Sequence, residues 1–420
     1  MNDGRPEISI AAMRELQNGR PIYLWGAAII GFGMCRAMDR LGFPMAGFVD
    51  RSPRLQGQHC MGFPVIHPDQ FLTKRPEDAF LIITSGHYED EIVAVCEERG
   101  LRENVDYLRA SRVNAVDPSV DITGTCNLKC ISCPRGNFQE QGPMGFMRLP
   151  TYQKVLAKLL REIPFLGQVQ LYAWGEPLIN PDVAEIIRHT VSNKVLCAMS
   201  TNLNLKRDFS EAIAAGPDWL KVSCSGFGED YEVTHTGGKW ELFHDNLYKL
   251  ASHRDKFNPS MYVEVNYHVY QHNQGEQLEQ MRALCDELSF AFRPNWAYLY
   301  PLDKILDYRE GRELDAKSKK VLSLLNLSLD DGLALADQEA HLPCAEERCL
   351  PITWDLKVRS CGSYFEPEVG NNYLLQPLTE LRRLRDESGI CQTCKSHSIH
   401  RFTSVYVREQ GFAAKKKAAG

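Results

Sequence analysis

The stretch Asp121-Ile-Thr-Gly-Thr-Cys126-Asn-Leu-Lys-Cys130-Ile-Ser-Cys133-Pro134 sets three cysteines in a C-x3-C-x2-C spacing. Three thiolates fill three corners of a four-iron cube and leave one iron without a protein ligand. Electron-transfer clusters use four cysteines; an iron lacking one can chelate a small molecule and pass an electron directly into it. The competing reading is a zinc knuckle, which needs a fourth Cys or His to close its tetrahedron. The loop itself supplies none: the next cysteine is Cys197, and the one histidine before it is His189.

Outward from this loop, strand-like and helix-like stretches alternate. Residues 120–122 read as a first strand that delivers the cysteines at its C-terminal end, followed by strands at 168–173, 195–200, 219–223, 262–267 and 291–294. Helical patterns at 152–160 and 277–287 lie between them. Six such units predict a partial (β/α)6 barrel, whose site assembles at the carboxyl ends of the strands. Those ends carry polar residues: Trp174-Gly175-Glu176-Pro177 after the second strand, Ser200-Thr-Asn202 after the third, Ser223-Cys-Ser225-Gly226 after the fourth, and Asn266 and His268 on the fifth. Singly, each Ser or Asn is equally a turn or cap residue; their recurrence at four successive strand ends points to a site. Cys224 alternates with Ser223 and Ser225 and so faces the helices as a buried structural thiol.

The cysteine loop and the Gly175-Glu176 pair resemble the radical S-adenosylmethionine superfamily, with Trp174 standing where a first glycine is usual. The resemblance implies a catalytic [4Fe-4S] cluster on Cys126, Cys130 and Cys133, with S-adenosylmethionine on its open iron. It also implies a 5′-deoxyadenosyl radical that abstracts hydrogen from substrate. By the same resemblance, the backbone and carboxylate of Gly175 and Glu176 receive the cofactor's ammonium, and Ser200 and Asn202 hold ribose or carboxylate. Ser223, Ser225 and Asn266 line the cofactor, and Ile131 borders the adenine. A flavodoxin- or ferredoxin-type reductant would be the electron donor.

A second cysteine group follows: Cys344, Cys349, Cys361, Cys391 and Cys394, the last two a C-x2-C chelating pair. Five candidates compete for four ligand places, and Cys344 and Cys349 contend for one of them, Cys344 suiting it better by its spacing to Cys361. The strand-turn-strand pattern over 352–361, the Gly370-Asn-Asn stretch and a short helix at 378–384 resemble a SPASM or twitch extension. That resemblance implies one auxiliary [4Fe-4S] cluster, which would accept an electron after hydrogen abstraction or anchor substrate through an open iron. A zinc ribbon is the structural alternative.

Before the barrel, residues to about 114 read strand, glycine-rich turn, helix, strand and acid, through Pro21-Ile-Tyr-Leu-Trp25, Gly26-Ala-Ala28-Ile-Ile-Gly31-Phe-Gly33 and Asp50. This is the order of a Rossmann-like parallel sheet, with Ala28 in place of the middle glycine, where a methyl group hinders close approach of a pyrophosphate. Gly47-Phe-Val-Asp50-Arg-Ser-Pro53 and Gly62-Phe-Pro-Val65 resemble small nucleotide-binding-type domains of sugar-modifying and polysaccharide-biosynthesis enzymes. A docking or dimerising module without ligand is the even alternative, and the Asp-x-His-x-x-Gly signature of cobalamin modules is absent. The expected organisation is α/β throughout: a Rossmann-like domain (1–114), a radical SAM partial barrel (115–300), a helical linker (301–343) and a cluster domain with tail (344–420).

Length and composition agree with a multidomain enzyme: 420 residues and 44% hydrophobic content are enough for two to four cores. No stretch reaches the apolar length of a membrane span, and the opening residues lack a secretory signal, so the cytoplasm is expected. Fourteen cysteines clustered in two places read as metal ligands rather than a disulfide framework. The net charge of −6 argues against a nucleic-acid partner, and Lys415, Lys416 and Lys417 read as a solvated tail. The expected reaction is hydrogen abstraction from a small polar substrate, leading to oxidation, epimerisation or rearrangement of a sugar, aminocyclitol or nucleotide-linked sugar. Peptide maturation is the second enzymatic reading, and a noncatalytic zinc scaffold the reading from another class. Tyr172, His235, His268 and Arg293 are the candidate proton carriers; sequence does not set the oligomeric state.

Overall fold

The computed structural model describes residues 8–74, 78–86, 88–113, 116–137, 144–344 and 346–407. The first seven residues, the expected boundary at 114/115 and the lysine run at 415–417 lie outside them. The chain forms two units, one of Met1–Asp117 with Leu156–Val169 and His189–Cys197, the other of Pro118–Val155, Gln170–Arg188 and Ala198–Gly420.

The first unit is built on strands β1 (Ile22–Trp25), β2 (Met45–Val49), β3 (His59–Cys60), β4 (Phe63–Ile66), β5 (Phe80–Ile83) and β6 (Tyr107–Arg109), in the order β3-β4-β2-β1-β5-β6. All neighbours are parallel except the β3–β4 edge pair. Side chains alternate across this sheet with period two. Ile22, Leu24, Phe80 and Ile82 enter one core with Met34 and Phe48, while Trp25, Leu81 and Ile83 enter another with Phe71 and Val93. Both faces are therefore apolar, as a parallel sheet covered by helices requires.

The glycine-rich turn leads into helix Ile29–Leu41, and Gly31 packs so tightly that a Cβ there would lie 2.0 Å from the Gly26 carbonyl oxygen. Asp50, the acid at the end of β2, is engaged by its own fold: its carboxylate accepts the Ala27 N–H at 2.9 Å and the Ser52 N–H at 2.8 Å.

The second sheet contains β7 (Asp117–Val120), β8 (Gln168–Gln170), β9 (Leu196–Thr201), β10 (Trp219–Cys224), β11 (Tyr262–Val269) and β12 (Ala291–Trp296) side by side in chain order. The paired strands β7–β8, β9–β10, β10–β11 and β11–β12 are parallel. Three further strands, β13 (Cys349–Ile352), β14 (Val358–Arg359) and β15 (Glu368–Gly370), continue the sheet beyond β7. Their pairing is antiparallel, and the Asp121 N–H donates to the Ile352 carbonyl at 2.8 Å, so the hairpin covers an otherwise open edge. β7 ends just short of Asp121, so residues 120–122 do not form a full strand, and the cysteine loop begins directly after its edge contact.

Helices Leu149–Glu162 and Glu276–Glu287 occupy the expected helical stretches. The segment before the second cysteine group is helical over Leu302–Arg309, Ala316–Leu324 and Leu329–Gln338. Asp315 and Ser328 cap the latter two through the Ser318 and Asp331 N–H groups. A core of Tyr270, Leu299, Ile305, Leu333, Tyr364 and Phe402 joins these helices to the C-terminal strands and helices. Among the described residues, no helix is long and apolar enough to cross a membrane.

Candidate functional site

The cysteine loop is held at several points by backbone and amide groups. The Lys129 and Ile131 N–H groups donate to the carbonyls of Thr236 and Thr234 at 2.9 and 3.3 Å, and the Cys133 N–H to Cys130 at 3.2 Å. Asn127 reaches the Asn204 carbonyl at 2.8 Å, and the Tyr270 hydroxyl bonds Ser132. At Cys126, the sulfur receives the Leu128 N–H and the Asn202 side-chain amide, both at 3.5 Å. Cys126, Cys130 and Cys133 are half-buried. Burial pushes the Cys126 thiol up to about 12, with Glu176 and Cys133 adding to it. Burial also raises Cys130, followed by Cys133 and Cys126. Three neighbouring thiolates in such a place require a cation to stabilise them.

Their spacing bears on which cation fits. Around one zinc, bonds of about 2.3 Å set sulfurs about 3.8 Å apart. Among the described residues, the set of three metal-ligand atoms gathered within 4.8 Å of one another is Glu346, Cys349 and Cys361, which does not include Cys126, Cys130 or Cys133.

The strand ends meet this loop through Glu176 and Asn202. Glu176 is 1% exposed. One carboxylate oxygen accepts the Thr201 hydroxyl at 2.9 Å and the Leu178 N–H at 3.0 Å; the other accepts the Asn202 N–H at 2.7 Å. Burial pushes this carboxyl up to about 7 against those three bonds. Gly175 has no room for a side chain, since a Cβ would stand 1.9 Å from the Thr123 carbonyl oxygen. The Glu176 N–H donates to Thr125 at 2.9 Å and the Trp174 N–H to the Asp121 carboxylate at 3.2 Å, so the second βα turn is laced to the residues that open the cysteine loop. The structure thus brings Cys126, Gly175, Glu176 and Asn202 together.

The remaining strand-end residues divide. Ser225 is buried, its hydroxyl 2.6 Å from Thr234 and 2.8 Å from the His235 Nδ1, which occupies it internally. Ser200, Ser223 and Asn266 are half-buried. The Cys224 thiol is fully buried against the Gly226 carbonyl at 3.2 Å, on the face that strand alternation predicts. Ile131 packs against the core that contains Tyr270 and Leu299.

One face of β10–β12 is polar, and sequence reasoning recovered only part of it. Leu220, Val222, Val263, Val265 and Val269 are buried, whereas the alternate positions are Lys221, Ser223, Glu264, Asn266, His268 and Asn295. The Lys221 ammonium lies 3.9 Å from Glu264 and over the Tyr172 ring at 6.0 Å. Its pKa is raised chiefly by Tyr172, against burial, with Glu264 and Glu346 contributing. His268 lies 3.2 Å from the Asn266 amide, and burial followed by Lys221 depresses it to about 4. His235 is depressed to about 3 by burial and then by His268. Both imidazoles are therefore neutral near pH 7. Arg293 is exposed, bonding the Tyr262 hydroxyl at 3.3 Å. Lys221 and Glu264 were legible as the period-two partners of Ser223 and Asn266.

The five C-terminal cysteines also converge. The Cys349 and Cys361 sulfurs accept the Gly362 and Ser363 N–H groups at 3.3 and 3.5 Å. The Cys349 thiol bonds Cys361, which holds Cys361 below its ordinary pKa. Burial pushes Cys344 up to about 11 and Cys394 up to about 12, with Cys361 adding to each. Arg385 supplies the cation here: burial opposes its charge, and Cys349, Cys391 and Cys361 more than offset that. Glu346, between Cys344 and Cys349 in sequence, joins this group and was missed by a reading that counted cysteines.

No family model matches the sequence, and no curated protein matches it. Among solved structures, the chain is similar to BtrN in complex with AdoMet and 2-DOIA, at 14% identity over 70% of this chain and 91% of that one, with a TM-score of 0.39. It is similar to Streptococcus suis SuiB bound to S-adenosylmethionine at 14% identity over 63% and 65% of the two chains, TM-score 0.42. It is similar to anSMEcpe with bound AdoMet at 14% identity over 65% and 82%, TM-score 0.43.

Proposed function

We propose that this protein is a radical S-adenosylmethionine enzyme that abstracts hydrogen from a small polar substrate. The observation that carries the reading is the loop of Cys126, Cys130 and Cys133, three half-buried thiols directly after a parallel strand, with Cys126 tied through Asn202 to Glu176. In this reading the six-stranded run β7–β12 is a partial (β/α)6 barrel, preceded by a Rossmann-like domain over 1–114 and followed by a helical linker and a SPASM or twitch domain from 344. When bound, a [4Fe-4S] cluster with S-adenosylmethionine on its open iron supplies a 5′-deoxyadenosyl radical.

The chain's own residues then have distinct tasks. Cys126, Cys130 and Cys133 hold the cluster. Glu176 fixes the end of β9 through its three hydrogen bonds, leaving the backbone of the Trp174–Gly175–Glu176 turn to receive the cofactor's ammonium. Ser200, Asn202, Ser223, Ser225, Asn266 and Ile131 border the rest of the cofactor. The C-terminal cysteines hold one auxiliary [4Fe-4S] cluster. Lys221, Tyr172, Glu264, Asn266 and His268 offer donors and acceptors of both signs on a half-open face, which favours a substrate dense in hydroxyl or amino groups, such as a sugar, aminocyclitol or nucleotide-linked sugar. A flavodoxin- or ferredoxin-type protein would deliver the electron, in the cytoplasm.

The test is anaerobic reconstitution with iron and sulfide, then assay of 5′-deoxyadenosine. Replacing Cys126, Cys130 and Cys133 by Ala should remove about four irons per chain and abolish the product. Unchanged product, or zinc without sulfide in the parent protein, overturns the proposal.

A further inference from the structure

Arg359, on β14, is 7% exposed. Its neighbour Val358 packs toward Gly370, where an added Cβ would meet the Val358 Cβ at 3.1 Å, so strand alternation turns Arg359 to the other face of the hairpin. There its guanidinium lies over the Phe365 ring at 4.8 Å and the Trp174 ring at 5.8 Å. Trp174 packs in turn on Tyr300 at 4.8 Å and edge-on to Phe365 at 6.2 Å, and the Tyr300 hydroxyl donates to the Gly362 carbonyl at 3.0 Å. These rings hold the arginine between the turn that opens on Glu176 and the backbone that follows Cys361.

Contact with ring faces attracts the cation but takes up no N–H donor. A guanidinium has five donors in a planar fork, and among the described residues none accepts a hydrogen bond from Arg359 and no carboxylate lies within ion-pair distance of it. The acids that favour its charge act from further off: Asp121 accepts the Trp174 N–H, and Glu368 pairs with Lys357 at 2.7 Å. Arg135 opposes the charge. None of the Arg359 nitrogens is among the buried polar atoms closed off from both solvent and partners, so its donors open onto accessible space. A guanidinium braced by rings, with its donors unused, matches the paired oxygens of a carboxylate or phosphate.

We infer that Arg359 anchors the substrate by an oxyanion, a phosphate or carboxylate group gripped by its guanidinium beside Trp174, Tyr300 and Phe365. This rests on the proposed radical chemistry, and within the proposed substrate class it selects nucleotide-linked, phosphorylated or acidic sugars over uncharged ones. The substrate is favoured over the cofactor as the source of the anion because of where the Trp174 turn points. Its indole contacts Tyr300, Phe365 and Arg359, whereas the Glu176 carboxylate contacts Thr201 and Asn202 beside the cysteine loop.

The experiment compares the full, reconstituted chain with Arg359→Met and Arg359→Lys, using inorganic phosphate and acetate as probes against chloride at fixed ionic strength. An anion that binds the fold alone raises the melting temperature as its concentration rises, and general salt effects are common to parent and variant. The parent should respond to phosphate, acetate or both, with the apparent affinity weakened about tenfold or more in Arg359→Met. Arg359→Lys, which keeps the charge without the fork, should be weakened as well, and it carries the comparison should Arg359→Met fail to fold by circular dichroism. A response to phosphate alone assigns a phosphorylated substrate, and a response to acetate alone a carboxylated one. S-adenosylmethionine affinity, measured by equilibrium dialysis, should stay within about twofold of the parent, since one hydrogen-bonded ion contact is worth about tenfold. Equal anion responses in parent and variants, or none in the parent, overturn the inference. So does a parallel loss of S-adenosylmethionine affinity, which would give the guanidinium to the cofactor's carboxylate. Absence of 5′-deoxyadenosine from the reconstituted parent defeats the radical reading instead, and the anion comparison in the same chain still decides the role of Arg359.

Discussion

Replacing Glu176 tests whether its carboxylate fastens the second βα turn to the end of β9. In Glu176→Gln, one oxygen still accepts the Thr201 hydroxyl and the Leu178 N–H, but an amide NH2 now faces the Asn202 N–H. One buried donor loses its acceptor, which costs about 1–3 kcal/mol. In Glu176→Ala all three donors lose theirs, and with two backbone N–H groups left unpaired the cost rises to about 3–6 kcal/mol. That is comparable with the whole stability of a typical domain, about 5–15 kcal/mol. Because the Asn202 side chain also contacts the Cys126 sulfur at 3.5 Å, loosening its backbone should lower iron retention in the cysteine loop. Urea denaturation of the apo-protein at pH 8, where the carboxylate is ionised, measures the first effect, and iron per chain after gel filtration of reconstituted protein measures the second. Both variants falling within 0.5 kcal/mol of the parent, with unchanged iron, would refute the fastening role.

Gly175→Ala should destabilise by about 1–3 kcal/mol or more through overpacking, because its Cβ would begin 1.9 Å from the Thr123 carbonyl oxygen; thermal denaturation reads this directly. The neutral histidines give a pH dependence with a defined sign. His235 and His268 are depressed to about 3 and about 4 in the fold, whereas unfolded His titrates near 6.5. The unfolded chain therefore binds more protons, and stability falls as pH drops from about 6.5 toward 3–4, by several kcal/mol for the pair. Glu176, raised to about 7 in the fold, contributes with the opposite sign over the same range, so the comparison that isolates the histidines is between variants: from pH 7.5 to 5 the apo-protein of His235→Gln should lose less stability, or gain more, than the parent. Cys224→Ala should cost about 1–2 kcal/mol yet leave 5′-deoxyadenosine formation intact, since the thiol is buried on the Gly226 carbonyl; loss of product without loss of folding would give that thiol a chemical role.

Much of the second sheet was legible because its signals are local. Alternation and apolar content located β9 to β12 within a few residues, and the cysteine loop was readable because thiol ligands at fixed spacing are a chemical signal rather than a packing one. The first strand lies at Asp117–Val120, shifted toward the N-terminus from the expected 120–122, because its pairing is set by Gln170 on one side and by the hairpin at the chain's far end on the other, which no local pattern can show. Glu346 escaped for a related reason: what distinguishes it is its distance to Cys361 across a hairpin, while in sequence it is one of many acids. Lys221 was closer to hand, since period two puts it on the face of Ser223.

The acids at the strand ends show where pattern and fold diverge in a common way. Asp50 and Glu176 both follow strands, beside glycine-containing turns, where sequence logic assigns them to a ligand. In the fold each accepts backbone N–H groups: Asp50 from Ala27 and Ser52, Glu176 from Leu178 and Asn202. A tight βα turn exposes N–H groups that have no partner in either element, and a carboxylate from the neighbouring turn can satisfy them as a bound anion would. Once it does so, part of the acid's accepting capacity is taken up by the fold, and the carbonyls and amides that it fixes share in whatever recognition occurs there. The strand-end acids therefore govern binding through geometry, and substitutions there should disturb folding and cofactor retention together rather than ligand affinity alone.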